Sequence, residues 1–292
     1  PIFEANPGGA PCNVLAMLNK LGRRTAFIGK VGDDIFGKRL KNIVESSGTD
    51  IGGLVFDKNV RTTLAFVETD EYGDRNFSFY RAPGADMMLR AEELREQILK
   101  DTRIFHFGTL SMTDEPVRSA TRHAIETAKA NGALLSFDPN IREPLWQSME
   151  EAKRQTAYGM EVCDVLKISD NEIRWFTGEE DFDRGVGKLW REYHIPLILL
   201  SMGSGGSRAY CGSRRAEQPA FLQEGTIETT GAGDTFGACC LHYILEYGVA
   251  GLGTPELEEM LRFANAAASI VTTRRGALRV MPEPEEIQAL LV

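Results

Sequence analysis

The sequence contains no run of about 18 consecutive apolar residues, the length a membrane-spanning helix needs, and no secretory leader can be read in it. A cytoplasmic protein with no membrane partner is the expectation. Cysteine is scarce: Cys12, Cys163, Cys211, Cys239 and Cys240 are five in number, an odd count, and show no CxxC or zinc-ligand spacing. A disulfide framework and a structural zinc site are therefore not expected, and small core thiols in a reducing compartment are. Basic charge is in deficit, with a formal net charge of -9. A generally acidic surface argues against nucleic acid as a partner, though not against a local pocket for an anion. There is no GxxxxGK[ST] segment, which excludes a P-loop. Long linkers, internal repeats and low-complexity stretches are also missing.

What is there is alternation. The 292 residues, 42% hydrophobic, suit one large domain spanning 1–292. Short apolar runs at 25–29 (TAFIG), 104–108 (IFHFG), 134–138 (LLSFD), 165–168 and 196–201 (PLILLS) read as buried strands. Helical patterns separate them. Val14, Met17, Leu18 and Leu21 follow i, i+3, i+4, i+7 spacing ahead of Gly22, and 116–131 opens on Pro116 and is followed by Gly132. Such alternation predicts an α/β fold, a parallel sheet covered by helices on both faces. One segment departs from it. Residues 62–69 (TTLAFVET) and 76–81 (NFSFYR), joined by a polar turn with Gly73 and Asp74, predict a β-hairpin, either an edge extension or a lid over the strand ends.

The sharpest chemical feature is 228–236, ETTGAGDTF, ahead of an apolar helical stretch at 235–247 that ends at Gly248. Gly231 and Gly233 let the backbone approach a ligand closely. A helix start offers unpaired N–H groups and partial positive charge, an anion site suited to phosphate. Asp234 at that start has two readings. A helix cap is the commoner one; a base that accepts the proton of a bound hydroxyl is the chemical one. A second glycine cluster, 6–13 (NPGGAPCN), brings Gly8, Gly9 and Asn13 to the first helix. An ordinary turn explains it, and so does polyol recognition, since Asn13 carries both a donor and an acceptor.

Taken together, Gly8, Gly9 and Asn13, then GKVGDDIFG at 29–37, then TTGAGDTF at 229–236 resemble the ribokinase-like (PfkB) carbohydrate kinases over essentially the whole chain. FYRAPGADMML at 79–89 and SFDPNIREPLW at 136–146 look most like the bacterial fructokinase branch. The resemblance implies a three-layer Rossmann-like α/β domain with a small β lid, approximately 1–7 and 60–82. It implies ATP and Mg²⁺ as cofactors and transfer of the γ-phosphoryl group to a sugar hydroxyl, most of all the 6-hydroxyl of D-fructose. Asp234 would be the base, with Gly231, Ala232 and Gly233 as the anion hole. Gly8, Gly9 and Asn13 would contact the sugar, with Arg81 and Arg142 nearby. Ser201, Gly203, Gly206 and Thr230 would line the nucleotide site, and Asn265 would lie near the adenine.

Departures from the pattern matter as well. The family's Asn-x-x-Glu reads Ser169-Asp170-Asn171-Glu172 here, so Glu172 would support Mg²⁺ indirectly, beside Ser169. Glu228 stands where relatives carry an Asp that helps to hold a monovalent cation, which marks a candidate K⁺ site. An initial strand ending in a substrate-binding Asp normally precedes the GG cluster; it is absent from this sequence, and a start beyond that strand is the expectation. Alternatives remain: a 2-keto-3-deoxygluconate kinase, with Arg81 and Arg142 on the substrate carboxylate; a nucleoside kinase; and a non-catalytic sugar- or nucleotide-binding protein on the same fold. Exposed lid edges would suit a homodimer.

Overall fold

A computed structural model describes residues 4–69, 75–276 and 278–292. In chain order the elements are α1 (Ala10–Lys20), β1 (Ala26–Gly32), α2 (Ile35–Ser46), β2 (Asp50–Asp57), β3 (Leu64–Thr69), β4 (Arg75–Tyr80), α3 (Glu96–Asp101), β5 (Ile104–Gly108), α4 (Val117–Ala130) and β6 (Leu134–Asp138). The second half runs α5 (Met149–Val162), β7 (Val165–Ser169), α6 (Asp170–Thr177), α7 (Phe182–Tyr193), β8 (Leu197–Ser201), β9 (Ser207–Cys211), β10 (Arg214–Gln218), α8 (Ala232–Gly251), α9 (Thr254–Thr272) and α10 (Pro284–Leu291).

The main sheet has the order β10-β9-β8-β7-β6-β5. Strands β5 to β8 are parallel, whereas β9 and β10 run antiparallel to their neighbours. The sheet is thus mixed and not wholly parallel, and the reason is local. Parallel pairing needs a crossover of a dozen or more residues, but β8, β9 and β10 are joined by short turns at 202–206 and 212–213. Strands β1 and β2 form a separate parallel pair, and β3 and β4 an antiparallel hairpin. The hairpin agrees with the sequence pattern; its expected turn residues Gly73 and Asp74 lie outside the described residues, as do residues 1–3.

Strand β8 shows why there are three layers. Successive strand side chains point to opposite faces. Leu197 and Leu199 join a core with α1, α8 and α9, through Met17, Phe236, Cys240, Leu261 and Ala264. Ile198 and Leu200 join another core with α4 to α7, through Ile125, Met160, Ile173 and Leu189. Both faces are buried, so the strand reads as a continuous apolar run.

Helix ends are fixed by particular residues. The Asp34 carboxylate accepts from the N–H groups of Phe36 and Gly37, capping α2, and also from the N–H and hydroxyl of Thr62. In α6, Ser169 and Glu172 cap reciprocally, and Gly178 ends the helix in the left-handed region. Gly248, at φ 67° and ψ 158°, interrupts α8 before its final turn, where the sequence places the helix end.

Candidate active site

Parallel pairing aligns the carboxyl ends of β5 to β8, so Gly108, Asp138, Ser169 and Ser201 lie along one edge of the sheet. Open α/β sheets bind ligands outside this edge. The first turn of α8 packs against it: a Cβ placed on Gly233 would lie 3.2 Å from Lys167 Nζ, which extends from β7. Gly231 precedes the helix at φ 83° and ψ -8°, a backbone conformation that favours glycine.

Asp234 is not a cap. No side chain caps α8, and Asp234 Oδ2 instead accepts a 2.7 Å hydrogen bond from Asn13 Nδ2 of α1. Both side chains are buried, at 2% exposure for Asn13 and 9% for Asp234. Burial raises the Asp234 pKa, while the Asn13 hydrogen bond and the charges of Lys167 and Arg142 oppose that rise. Asn13 Oδ1 is buried with no hydrogen-bond partner among the described residues, an acceptor of the kind a ligand hydroxyl satisfies. Beside it, Gly8 and Gly9 have no atom within 4 Å of where a Cβ would stand.

Beneath Asp234 lies a charge cluster that sequence reasoning missed. Lys167 Nζ pairs with Asp138 at 3.0 Å, and both side chains are almost wholly buried. Three carboxylates, Asp138, Glu172 and Asp234, act on this single ammonium. The ammonium is outnumbered, so burial prevails at Asp138 and its carboxyl is pushed up to about 7, with Glu172 and Asp234 adding repulsion against the attraction of Lys167. For Lys167 burial works towards the neutral form, but the carboxylates outweigh it and the net shift is upward. His106 on β5 meets Ser136 Oγ at 3.0 Å; burial, reinforced by Lys167, pushes it down to about 4.

Glu172 is committed to backbone work. It accepts from Ile141 N–H at 2.9 Å and from Ser169 N–H at 2.9 Å and Oγ at 2.6 Å. Burial would raise its pKa, but Lys167 and these hydrogen bonds outweigh burial and hold it below the ordinary value. The bond to Ile141 ties down the segment after β6, where Asn140 sits at φ 44°, and so positions Arg142. Arg142 is exposed and acts on Asp234 by its charge.

The other expected residues fall elsewhere. The Arg81 side chain is buried and three of its five donors are engaged: Nε to Asp86 at 2.7 Å, and the terminal nitrogens to Thr113 Oγ1 at 3.1 Å and the Leu110 carbonyl at 2.8 Å. Ser201 ends β8, followed by Gly203 and by Gly206, where a Cβ would lie 2.2 Å from the Gln218 carbonyl oxygen. Asn265 on α9 donates to the carbonyls of Gln218 and Pro219, at 3.2 and 3.0 Å, and thereby fixes the chain that leaves β10. Thr230 is exposed ahead of Gly231, and the Ala232 N–H turns to the Thr229 carbonyl at 3.2 Å. Glu228 accepts from Gly276 N–H at 3.4 Å. Among the described residues no group of three His, Cys, Asp or Glu side chains could hold a metal ion by itself, and no helix is long and apolar enough to cross a membrane.

The chain as a whole has counterparts in known proteins. A probable fructokinase-4 of Arabidopsis thaliana is 42% identical over 292 residues, covering all of this chain and 89% of that protein. The fructokinase of Vibrio cholerae O395, solved with fructose, ADP and calcium ion bound, superposes with a TM-score of 0.88 at 28% identity, over 99% of this chain and 92% of its own. The fructokinase of Xylella fastidiosa with bound ATP superposes with a TM-score of 0.89 at 31% identity, over 97% and 90% of the two chains. The pattern described as pfkB family carbohydrate kinase matches residues 2–284, and with these full-length relatives the chain belongs to the pfkB family of carbohydrate kinases.

Proposed function

We propose that the chain transfers the γ-phosphoryl group of ATP to the 6-hydroxyl of D-fructose, giving fructose 6-phosphate and ADP. The observation that carries this reading is the Asp234 carboxylate, held by Asn13 at 2.7 Å at the start of α8. As the sugar oxygen attacks the γ-phosphorus and the bond to the β-phosphate oxygen breaks, Asp234 takes the hydroxyl proton. Asn13 Oδ1 accepts from a sugar hydroxyl, and Gly8 and Gly9 let the sugar lie against the backbone. The amides of Gly233 and Asp234, joined by Ala232 when its turn hydrogen bond yields, face the developing phosphate charge. Ser201, Gly203, Gly206 and Thr230 border the nucleotide, with Asn265 fixing the 218–219 segment beneath it. The similarity to fructokinases solved with fructose and ADP or with ATP supports this assignment.

A divalent ion suits the negative surplus of Asp138, Glu172 and Asp234 over Lys167. Mg²⁺ arriving on the nucleotide, with its own waters, would neutralise phosphate charge, and Glu172 would act on it from a distance, since its oxygens are engaged. The contact between Glu228 and Gly276 is the proposed K⁺ locus. Hairpin β3–β4 is the proposed lid, and its exposed Val67 and Tyr80 are the proposed contact with a second copy of the chain.

Fructose is favoured over 2-keto-3-deoxygluconate by the full-length similarity to fructokinases, and three of the five Arg81 donors are already committed to Asp86, Thr113 and Leu110. The test is Mg²⁺-dependent ADP release with fructose, 2-keto-3-deoxygluconate, ribose, glucose and adenosine, each against a blank without acceptor. Release with fructose and not with the keto-acid is expected. Release with the keto-acid alone would overturn the substrate, and binding of sugar and ATP without product would overturn the catalytic reading.

A further inference from the structure

Lys167 occupies the middle of β7, between residues that are buried outright: Val165, Leu166 and Ile168 are at most 1% exposed. An ammonium in such a place is costly, and a pair with Asp138 does not justify it, because well-packed apolar residues usually serve stability as well or better. Its location is more informative. The ammonium comes so close to the first turn of α8 that a methyl group on Gly233 would lie 3.2 Å away; glycine leaves room for the charge against the helix start.

We propose that Lys167 is a positioning residue for phosphoryl transfer, supplying from behind the first turn of α8 the positive charge that keeps the Asp234 carboxylate ionised and the neighbouring amides attractive to phosphate. This deepens the reading of Asp234 as the base and rests on it. The groups facing the ammonium come from four elements: His106 on β5, Asp138 on β6, Glu172 on α6, and Asp234 and Cys240 on α8. Asp234 is faced in addition by Cys12 and Asn13 of α1 and by Arg142. Among them Arg142 is the other cation, and it is exposed to solvent, where screening weakens it. Without Lys167, Asp138 and Glu172 would repel charge on Asp234 with no buried cation to offset them. Sugar contacts at Gly8, Gly9 and Asn13 would remain. The consequence is selective: proton acceptance suffers, sugar binding does not.

The experiment compares wild type with K167M, a neutral side chain of similar length, in ADP release over pH 6 to 9.5, with ADP affinity measured by titration. The kcat at neutral pH should fall about 100-fold while the fructose KM stays within about threefold. The acidic limb of the pH profile should move up by about one unit or more, so that the deficit narrows in base. A folded K167M whose limb stays at the wild-type pH overturns the proposal, however much kcat falls, since a merely structural role would lower activity without moving the limb. If K167M does not fold, D138N keeps the ammonium and removes its main competitor, so its limb should move to lower pH; an unmoved limb there overturns the proposal equally. Wild-type turnover of fructose tests the substrate separately. The limb is read with whichever acceptor the wild type uses, and without turnover from the Asp234 carboxyl band in infrared titrations, assigned with D234N.

Discussion

Asn13 and Asp234 meet side chain to side chain at 2.7 Å although 221 positions separate them in the sequence. The amide donates, so the carboxylate is favoured in its charged form, and the amide oxygen has no hydrogen-bond partner among the described residues. A second carboxylate in place of Asn13 would reverse this. Two acids at that distance do not both ionise, and one proton is retained between them. N13D is expected to lose about 100-fold or more in kcat/KM at neutral pH, with the acidic limb of the profile moved upward. A profile like that of wild type would show that Asn13 does not act on the base.

Asp234 itself gives the sharper test. D234N keeps the shape of the side chain and removes its capacity to accept a proton. Turnover should drop by about 100- to 10,000-fold, while ADP binding, which in the proposed arrangement draws on the backbone of α8 and on the loop after β8, should change less than about threefold. Steady-state ADP release and nucleotide titration on one preparation separate the two effects. Near-normal turnover in D234N would remove the base assignment.

The two glycine clusters were legible because each is a contiguous string with a mechanism: glycine for close approach, a helix start for anions, and Asp234 or Asn13 as the polar group. Strands β5 and β6 were legible to the residue, since an apolar run bounded by turn formers leaves little freedom. Lys167 was not. One lysine inside VLKIS carries no local signal of a partner, and only the register of β7 against β6 and β8 shows what encloses it. Its partner Asp138 lies 29 positions earlier, at the end of another strand, and no local pattern joins them. The contacts of Arg81 were hidden for the same reason. A sequence shows a guanidinium but not that Asp86, Thr113 and the Leu110 carbonyl already occupy it. The antiparallel β9 and β10 were overlooked because alternation of strand and helix was extended past the point where short turns replace helices.

Gly233 should resist replacement for a reason unrelated to backbone freedom. Its φ lies outside the left-handed region that Gly231 occupies at φ 83°, so alanine is permitted there conformationally. The added methyl group would stand 3.2 Å from Lys167 Nζ and press on the ammonium that pairs with Asp138. G233A should lose about 1 kcal/mol of stability and about tenfold in kcat. G237A, one turn further along α8, meets nothing within 4 Å and should leave kcat unchanged while gaining about 0.5–1 kcal/mol in stability, read in ADP-release assays and thermal melts. Equal behaviour of the two variants would mean that space at Lys167 does not matter.

The buried cluster also sets how stability responds to acid, through two groups with opposite signs. His106 is held down to about 4 in the folded chain, against an ordinary value of 6.5. Between those values the unfolded chain binds the extra proton, so this contribution is full above pH 6.5 and is lost as pH falls towards 4. Asp138 is held up at about 7, against 3.8. Here the folded chain binds the extra proton, so the contribution is full below pH 3.8 and is lost as pH rises through 7. Each slope reaches at most about 1.4 kcal/mol per pH unit, and over the shared window they oppose one another. Removing one partner should expose the other. D138N should gain stability as pH rises from 4.5 to 6.5, because the larger opposing group is then removed from His106, whereas H106N should lose stability over the same range. Urea unfolding at closely spaced pH values measures both. The sign is decisive: slopes of the same direction in D138N and H106N would mean that these two side chains do not hold their protons as the burial of β5 and β6 requires.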